Sequence, residues 1–171
     1  MTDVDTEVPV PDNPVFSPDD SLETLWVKAY QGEVLGEVLF EGIAHQQRDS
    51  ERTRKMLTLA KLERCTKEAL VPAMERAGLS TDPAADTLEL AQVLVEASAS
   101  IAWEDTMASL GPTTSQFSAM YVRIGELAPA EHETADLLVA HEAAIAAFGR
   151  KELAGDLEGS LVDIEALPHV R

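Results

Sequence analysis

Three glutamates, Glu33, Glu63 and Glu142, have the residue type and the spacing that could hold a metal ion inside this protein. On a helical projection, each falls in the middle of an apolar face, and each lies on a separate predicted helix. An ionised carboxylate is costly to bury, so it needs a cation, a hydrogen-bond network or a proton. Three such groups that face one axis therefore indicate a buried site.

Lys67 is the residue that could neutralise the charge of these carboxylates without a metal ion. It lies one turn after Glu63 on the same face, so its ammonium group could occupy the space that an ion would fill. The hydroxyl groups of Tyr30 and Tyr121 could add hydrogen bonds. The residues alone leave three alternatives open: a lysine-centred or protonated carboxyl network, one bound metal ion, or a two-metal centre.

Two residues at the edges of these faces could also reach the site. Glu37 lies at the border of the face that holds Glu33, and it could turn inward as a ligand or interact at the surface with residues four positions away on its own helix. His141 lies at the margin of the face that holds Glu142, and we expect it to flank or support the site rather than ligate. The other histidines, His45, His132 and His169, are assigned to a helix end, to the surface and to the C-terminal tail.

The elements that must position these residues are all predicted to be helices. Hydrophobic residues make up 45% of the chain and aromatic residues only 5%, and the sustained apolar periods are helical. Short turns at 48–51 and 127–133 imply two antiparallel pairs, which a long crossover connects. This order predicts an all-α, four-helix bundle whose crossover contains an extra helix. The predicted helices cover 19–47, 51–77, 84–100, 102–128 with a kink at Gly111-Pro112, and 131–154.

The chain divides into three predicted segments. Residues 1–18 carry four prolines among acidic residues and are expected to form an extended N-terminal arm. The helical bundle covers 19–155, and residues 156–171 form a tail whose apolar side chains dock on the bundle. The crossover helix, 84–100, has apolar residues on several sides, so we expect other elements to cover it.

The stretch Lys28-Ala29-Tyr30-Gln31-Gly32-Glu33 resembles the beginning of rubrerythrins, which belong to the ferritin-like superfamily of di-iron carboxylate proteins. The resemblance extends over about 22–78 and 113–154 and includes the order of the helices. It implies that Glu33 is the metal-ligating glutamate of the first helix. It also implies that two Glu-x-x-His ligand pairs fall on Glu63-Arg64-Cys65-Thr66 and on Glu142-Ala143-Ala144-Ile145.

The chain departs from the ligand set of this family. Thr66 and Ile145 stand where the resemblance implies histidines, and no inward acid stands on the third long helix, where a fourth carboxylate belongs. Oxygen ligands alone can still hold Mg²⁺, Mn²⁺ or Ca²⁺. For function, the resemblance implies a metal-binding oxidoreductase that uses Fe or Mn with O₂ or peroxide and forms a homodimer.

Composition and charge argue against several classes of partner. Thirteen basic residues against 31 acidic residues give a formal net charge of −18, which repels nucleic acid and anionic membranes. The single cysteine cannot form an intrachain disulfide, and the chain shows neither a signal-peptide pattern nor an apolar run of membrane-spanning length. We therefore expect a soluble, cytoplasmic protein. A hypothesis of another class stays open beside the oxidoreductase: a non-catalytic interaction or structural protein that needs no metal, in which a Glu–Lys network replaces the metal site.

Overall fold

The computed structural model describes residues 14–171, and this part of the chain contains helices and turns but no strands. The predicted all-α class is therefore confirmed. None of the helices in this range is long and apolar enough to cross a membrane. The α-helices are α1 (Leu22–Gln46), α2 (Ser50–Arg76), α3 (Ala85–Ser98), α4 (Trp103–Leu127), α5 (His132–Leu153) and α6 (Val162–Glu165), with 3₁₀ turns at Pro129–Glu131 and Pro168–Val170.

The ends of the long helices follow local sequence signals. The side chains of Ser21 and Asp49 cap α1 and α2 by accepting backbone N–H groups of the first turn. Gly78 and Gly155 follow α2 and α5 with φ angles of 68° and 80°, which is the left-handed region that glycine adopts without steric cost. After Gly78, the N–H of Leu79 bonds back across the helix end, as in a Schellman motif.

Two pairs of neighbouring helices, α1 with α2 and α4 with α5, pack along their lengths. Within the second pair, Gly125 lies against Ala135 near the connecting turn, and Gly149 lies against Met107 at the far end. A Cβ atom on Gly149 would lie 2.8 Å from the carbonyl oxygen of Met107, so glycine permits this close approach. Because the beginning of α4 contacts the end of α5, and the end of α4 contacts the beginning of α5, the two helices run antiparallel.

Two apolar clusters form the core, and both draw on α1, α2, α4 and α5. On α2 the first cluster ends at Leu62 and the second begins at Leu70. On α5 the second cluster ends at Leu138 and the first begins at Ala144. Glu63, Thr66, His141 and Glu142 lie in the layer between the clusters. The two apolar clusters thus border the site above and below and reduce its contact with water.

The crossover helix α3 is more exposed than the sequence predicts. Among its own residues only Ala91 is buried, and its packing partner is α1. Val93 is 60% exposed, and Leu90 is 49% exposed. The expectation that other elements cover this helix is therefore wrong. Helix α3 carries apolar residues on several sides, but one neighbouring helix can cover only one face.

The two terminal segments contact the helices in the parts that the structure describes. Leu161, Ile164 and Val170 of the C-terminal segment are buried in the first apolar cluster. Near the N-terminus, Val15 and Phe16 pack against the second cluster. The predicted arm at 1–18 lies outside the described residues as far as position 13.

Candidate metal centre

Three carboxyl groups and one imidazole converge between the two apolar clusters. Glu33 of α1, Glu63 of α2, and His141 and Glu142 of α5 are all buried. The Nε2 atom of His141 lies 3.7 Å from Oε2 of Glu33, 3.6 Å from Oε1 of Glu63 and 4.0 Å from Oε1 of Glu142. Ligand atoms of Glu33, Glu63 and His141 all lie within 4.8 Å of one another. This spacing allows them to contact a common ion.

A hydrogen-bond network behind the imidazole sets its tautomer. The hydroxyl oxygen of Thr66 lies 2.8 Å from Nδ1 of His141, 3.0 Å from Nε2 of His169 and 3.0 Å from the carbonyl oxygen of Leu62. We assign the single hydroxyl proton to the carbonyl, which can only accept. Thr66 then accepts N–H groups from both histidines. We therefore assign Nδ1 of His141 as protonated, which leaves the lone pair of Nε2 directed at the carboxyl groups.

Glu33 has one satisfied and one unsatisfied oxygen. The phenol of Tyr121 donates a hydrogen bond to Oε1 of Glu33 at 3.1 Å. Oε2 is buried and accepts no hydrogen bond from a backbone amide, a hydroxyl group or a basic side chain of residues 14–171; the remaining candidate donor is a protonated carboxyl group of Glu63. Because this orphaned oxygen and the lone pair of His141 Nε2 lie on the same side of the site, both need a proton or a cation.

Burial shifts the titration of the whole group. It raises the pKa of Glu33 to about 7, against the hydrogen bonds from Glu63 and Tyr121. It also raises the pKa of Glu142, and burial followed by the adjacent charge of Glu33 raises the pKa of Glu63 well above its usual value. The pKa of His141 falls to about 3 because the imidazole is desolvated. The imidazole is therefore neutral at physiological pH, as a metal ligand must be.

Gly36 of α1 makes room for the carboxyl group of Glu63. A Cβ atom at this position would lie 2.5 Å from Oε2 of Glu63. Any larger residue would therefore push the Glu63 carboxyl group out of its position. Glycine here is a requirement of the site, because the middle of a helix otherwise disfavours it.

Lys67 does not occupy the centre of the group. Its ammonium group pairs with Glu37, which also accepts a hydrogen bond of 2.7 Å from Arg64. Within residues 14–171, no ion pair joins Lys67 to Glu33 or Glu63. The expected lysine-centred network is therefore not formed, because the flexible lysine side chain reaches the partly exposed Glu37 instead. Glu37 stays at the partly exposed edge, but its partners are Arg64 and Lys67 of α2 and not residues four positions away on its own helix.

Of the other residues singled out in the sequence, some lie at the site and others lie away from it. Tyr30 was expected to add a hydrogen bond to the site, but its hydroxyl group donates to the carbonyl oxygen of Thr81 at 2.8 Å. Ile145 lies in the first apolar cluster, and Thr66 supports His141. His169, which the sequence assigned only to the tail, reaches Thr66. The sequence does not predict that His141 points to the centre, because Glu142, the adjacent residue of the helix, already points there.

A cavity of about 520 Å³ reaches this group from one side. Glu33, Glu63, Glu142 and Tyr121 line it, together with apolar side chains of α1 and α4 and residues around the connection between α3 and α4. Such a volume falls within the usual range for sites that bind small molecules. The carboxyl groups are thus accessible to a molecule that enters between α1 and α4.

Comparisons with known proteins do not place the chain in a family: no family model, no curated protein and no solved structure matches it.

Proposed function

We propose that this chain is a ferritin-like four-helix bundle that binds one metal ion with Glu33, Glu63 and His141, and with Glu142 in reach of the same ion. The observation that carries the proposal is the orphaned Oε2 of Glu33, which shares the site with the Nε2 lone pair of His141. A proton on Glu63 or a cation removes the repulsion between these two lone pairs, and the convergence of three carboxyl groups on one imidazole supports the cation. The chain order supports the bundle, since two antiparallel pairs flank one long crossover.

The donor set fits a transition metal. Glu33 and Glu63 supply hard oxygen ligands, and one neutral imidazole supplies nitrogen, with the carboxyl group of Glu142 beside them. This combination suits Fe²⁺ or Mn²⁺ better than Mg²⁺ or Ca²⁺, which prefer oxygen alone. The hydrogen bond from His141 to Thr66 is the kind of support that metal-ligating histidines have. When bound, a redox-active ion would supply chemistry with O₂ or peroxide.

A single ion is the stoichiometry that the residues favour. The position that the resemblance reserves for a second imidazole holds Ile145, which packs in the apolar core. Thr66, at the other such position, is committed to hydrogen bonds with two histidines. One imidazole and three carboxyl groups therefore provide ligands for one ion rather than two.

A second candidate function rests on the raised pKa values. Carboxyl groups that hold their protons at neutral pH need no cation. Under this alternative the protein is non-catalytic, and it acts through contacts with another macromolecule. The exposed apolar residues of α3 are the surface that favours this alternative.

Metal analysis of protein purified without added metal tests the two candidates. The first expects close to one Fe or Mn per chain, and it expects the metal to be lost in Glu33→Gln. The matched control is Glu41→Gln, on the same helix but exposed; this variant should keep the metal. Metal-free protein whose melting temperature does not change on addition of Fe²⁺ or Mn²⁺ would favour the second candidate.

A further inference from the structure

The cavity beside the carboxyl groups extends from the site to the surface. Its inner end is formed by Glu33, Glu63 and Glu142, and its outer end includes Ser100 and Ile101 of the connection between α3 and α4. Ile101 is 50% exposed. A molecule can therefore enter at this connection and reach the carboxyl groups without unfolding a helix.

The walls of the cavity are apolar. Leu35, Leu39 and Phe40 contribute from α1, Phe117 contributes from α4, and Ile145 contributes from α5. Leu35 and Leu39 are only half-buried although they are apolar residues of a packed helix. Because these side chains border the cavity, a ligand with an apolar body would bury them and gain the corresponding free energy.

The charges around the cavity select against anions. No lysine or arginine of residues 14–171 lines it, whereas Asp105 lies near its outer end and three carboxyl groups form its inner end. An anionic ligand would have no counter-ion here and would lose its hydration. An organic cation would have to compete with the proposed metal ion for the same carboxyl groups.

From these observations we propose that the cavity binds an uncharged, largely apolar small molecule, which extends from Ile101 to the carboxyl groups. The inference deepens the proposed function, because it names the class of substrate that would reach the metal ion. The binding itself depends on the walls, and it does not require that a metal is bound.

Calorimetric titration with the 1-alkanols from hexanol to decanol tests the proposal. We expect the dissociation constant to fall about fourfold with each added methylene until the cavity is filled. Decanoate should bind at least about tenfold more weakly than decanol, because its charge has no partner. Absence of a chain-length dependence, or tighter binding of decanoate or decylammonium than of decanol, would overturn the proposal.

Two variants locate the binding site. Leu35→Trp places a larger side chain in the cavity and should weaken decanol binding at least about tenfold. Leu57→Trp is the control, since Leu57 is an exposed leucine of α2 that does not line the cavity; its binding should match the wild type. If Leu35→Trp does not fold, Ile101→Trp at the exposed outer end replaces it. Equal binding by the folded cavity variant and the control would refute this location.

The same titration separates this proposal from the metal site. It is performed on chelated protein and on protein incubated with Fe²⁺ under anaerobic conditions. Metal uptake without alkanol binding would refute the cavity proposal alone. Alkanol binding without metal uptake would refute the proposed metal function alone.

Discussion

The hydroxyl oxygen of Thr66 lies 2.8 Å from Nδ1 of His141. This contact favours the tautomer with a proton on Nδ1, in which the lone pair of Nε2 faces the carboxyl groups. Thr66 donates its own hydroxyl proton to the carbonyl oxygen of Leu62, so its oxygen accepts a hydrogen bond from the N–H group of Nδ1. Nε2 is then free to act as a ligand. Thr66, which stands where the resemblance to rubrerythrins implies a histidine, therefore supports a histidine from another helix.

Thr66→Val should weaken metal binding, because it keeps the shape of the side chain but removes the acceptor of the His141 N–H group. Loss of such a supporting contact typically lowers metal affinity about 10- to 100-fold. It should also lower the free energy of unfolding by about 1–3 kcal/mol, since the buried N–H group loses its partner. Both effects are measured by calorimetric titration with Mn²⁺ and by urea denaturation.

The control for this variant is Thr58→Val. Thr58 lies on the same helix and also donates its hydroxyl proton to the carbonyl oxygen four residues earlier. It contacts neither histidine. Equal Mn²⁺ affinities of the two variants would show that the hydroxyl group of Thr66 does not position His141.

Gly36→Ala should displace the carboxyl group of Glu63, because the added Cβ would lie 2.5 Å from its Oε2. We expect Mn²⁺ affinity to fall at least about tenfold, as for the loss of a well-placed ligand contact. Gly32→Ala is the matched control on the same helix, since its Cβ would meet the movable ring of Phe117 instead. If both variants bind Mn²⁺ as the wild type does, the position of Glu63 is irrelevant to the site.

The stability of the chelated protein should fall as pH rises from 6.5 to 8. The pKa values of Glu33, Glu63 and Glu142 are raised in the folded state, so the folded protein holds protons that the unfolded chain has already released. Such a difference lowers the free energy of unfolding by about 1.4 kcal/mol per pH unit for each proton retained. His141 and His169, whose pKa values are lowered, oppose this trend below about pH 7.5, where the unfolded imidazoles bind protons that the folded ones do not; three carboxyl groups outweigh two partly protonated imidazoles.

Thermal unfolding across this pH range measures the effect, and added Fe²⁺ or Mn²⁺ should reverse its sign. The metal ion takes the place of protons, so its affinity rises with pH. A melting temperature of the chelated protein that rises from pH 6.5 to 8 would show that these carboxyl groups are ionised without a cation.

A buried ion pair joins α2 to α5 away from the proposed metal site. Nζ of Lys55 lies 2.5 Å from Oε1 of Glu152, and the indole N–H of Trp103 donates to Oε2 at 3.2 Å. Lys55→Met would leave the carboxylate of Glu152 buried without its cation, which should cost about 3–5 kcal/mol. Urea denaturation measures this loss, and Mn²⁺ affinity should be unchanged.

The comparison for Lys55→Met is Arg54→Met, which removes an exposed partner of Glu51 on the same helix. Exposed pairs contribute about 0–1 kcal/mol, so this variant should stay close to the wild type. Similar losses in the two variants would indicate that the Lys55–Glu152 pair is no more important than a surface contact.

The periodicity of the sequence predicts the helices and the inward faces of Glu33, Glu63 and Glu142, because a helical face is a property of local spacing. It does not predict where long side chains end. Lys67 reaches Glu37 rather than the centre, a choice that depends on the distance between two helices. Contacts across the fold are equally hidden: His169 meets Thr66 from a position 103 residues away.

His141 shows a further limit of helical projection. Successive residues of a helix point about 100° apart, so His141 and Glu142 are not expected to serve one centre. The structure brings both side chains to it, with 4.0 Å between Nε2 and Oε1. The hydrogen bond that Nδ1 of His141 donates to Thr66 on α2 holds the imidazole inward, and no spacing rule within α5 contains that information.

The most direct test of the proposed metal site is an anaerobic calorimetric titration of the chelated protein with Fe²⁺ at pH 7.5. We predict one ion per chain for the wild type and at least about 100-fold weaker binding for His141→Ala. His132→Ala, an exposed histidine of the same helix, should bind as the wild type does. No saturable uptake by the wild type, or equal affinity of His141→Ala, would contradict the account.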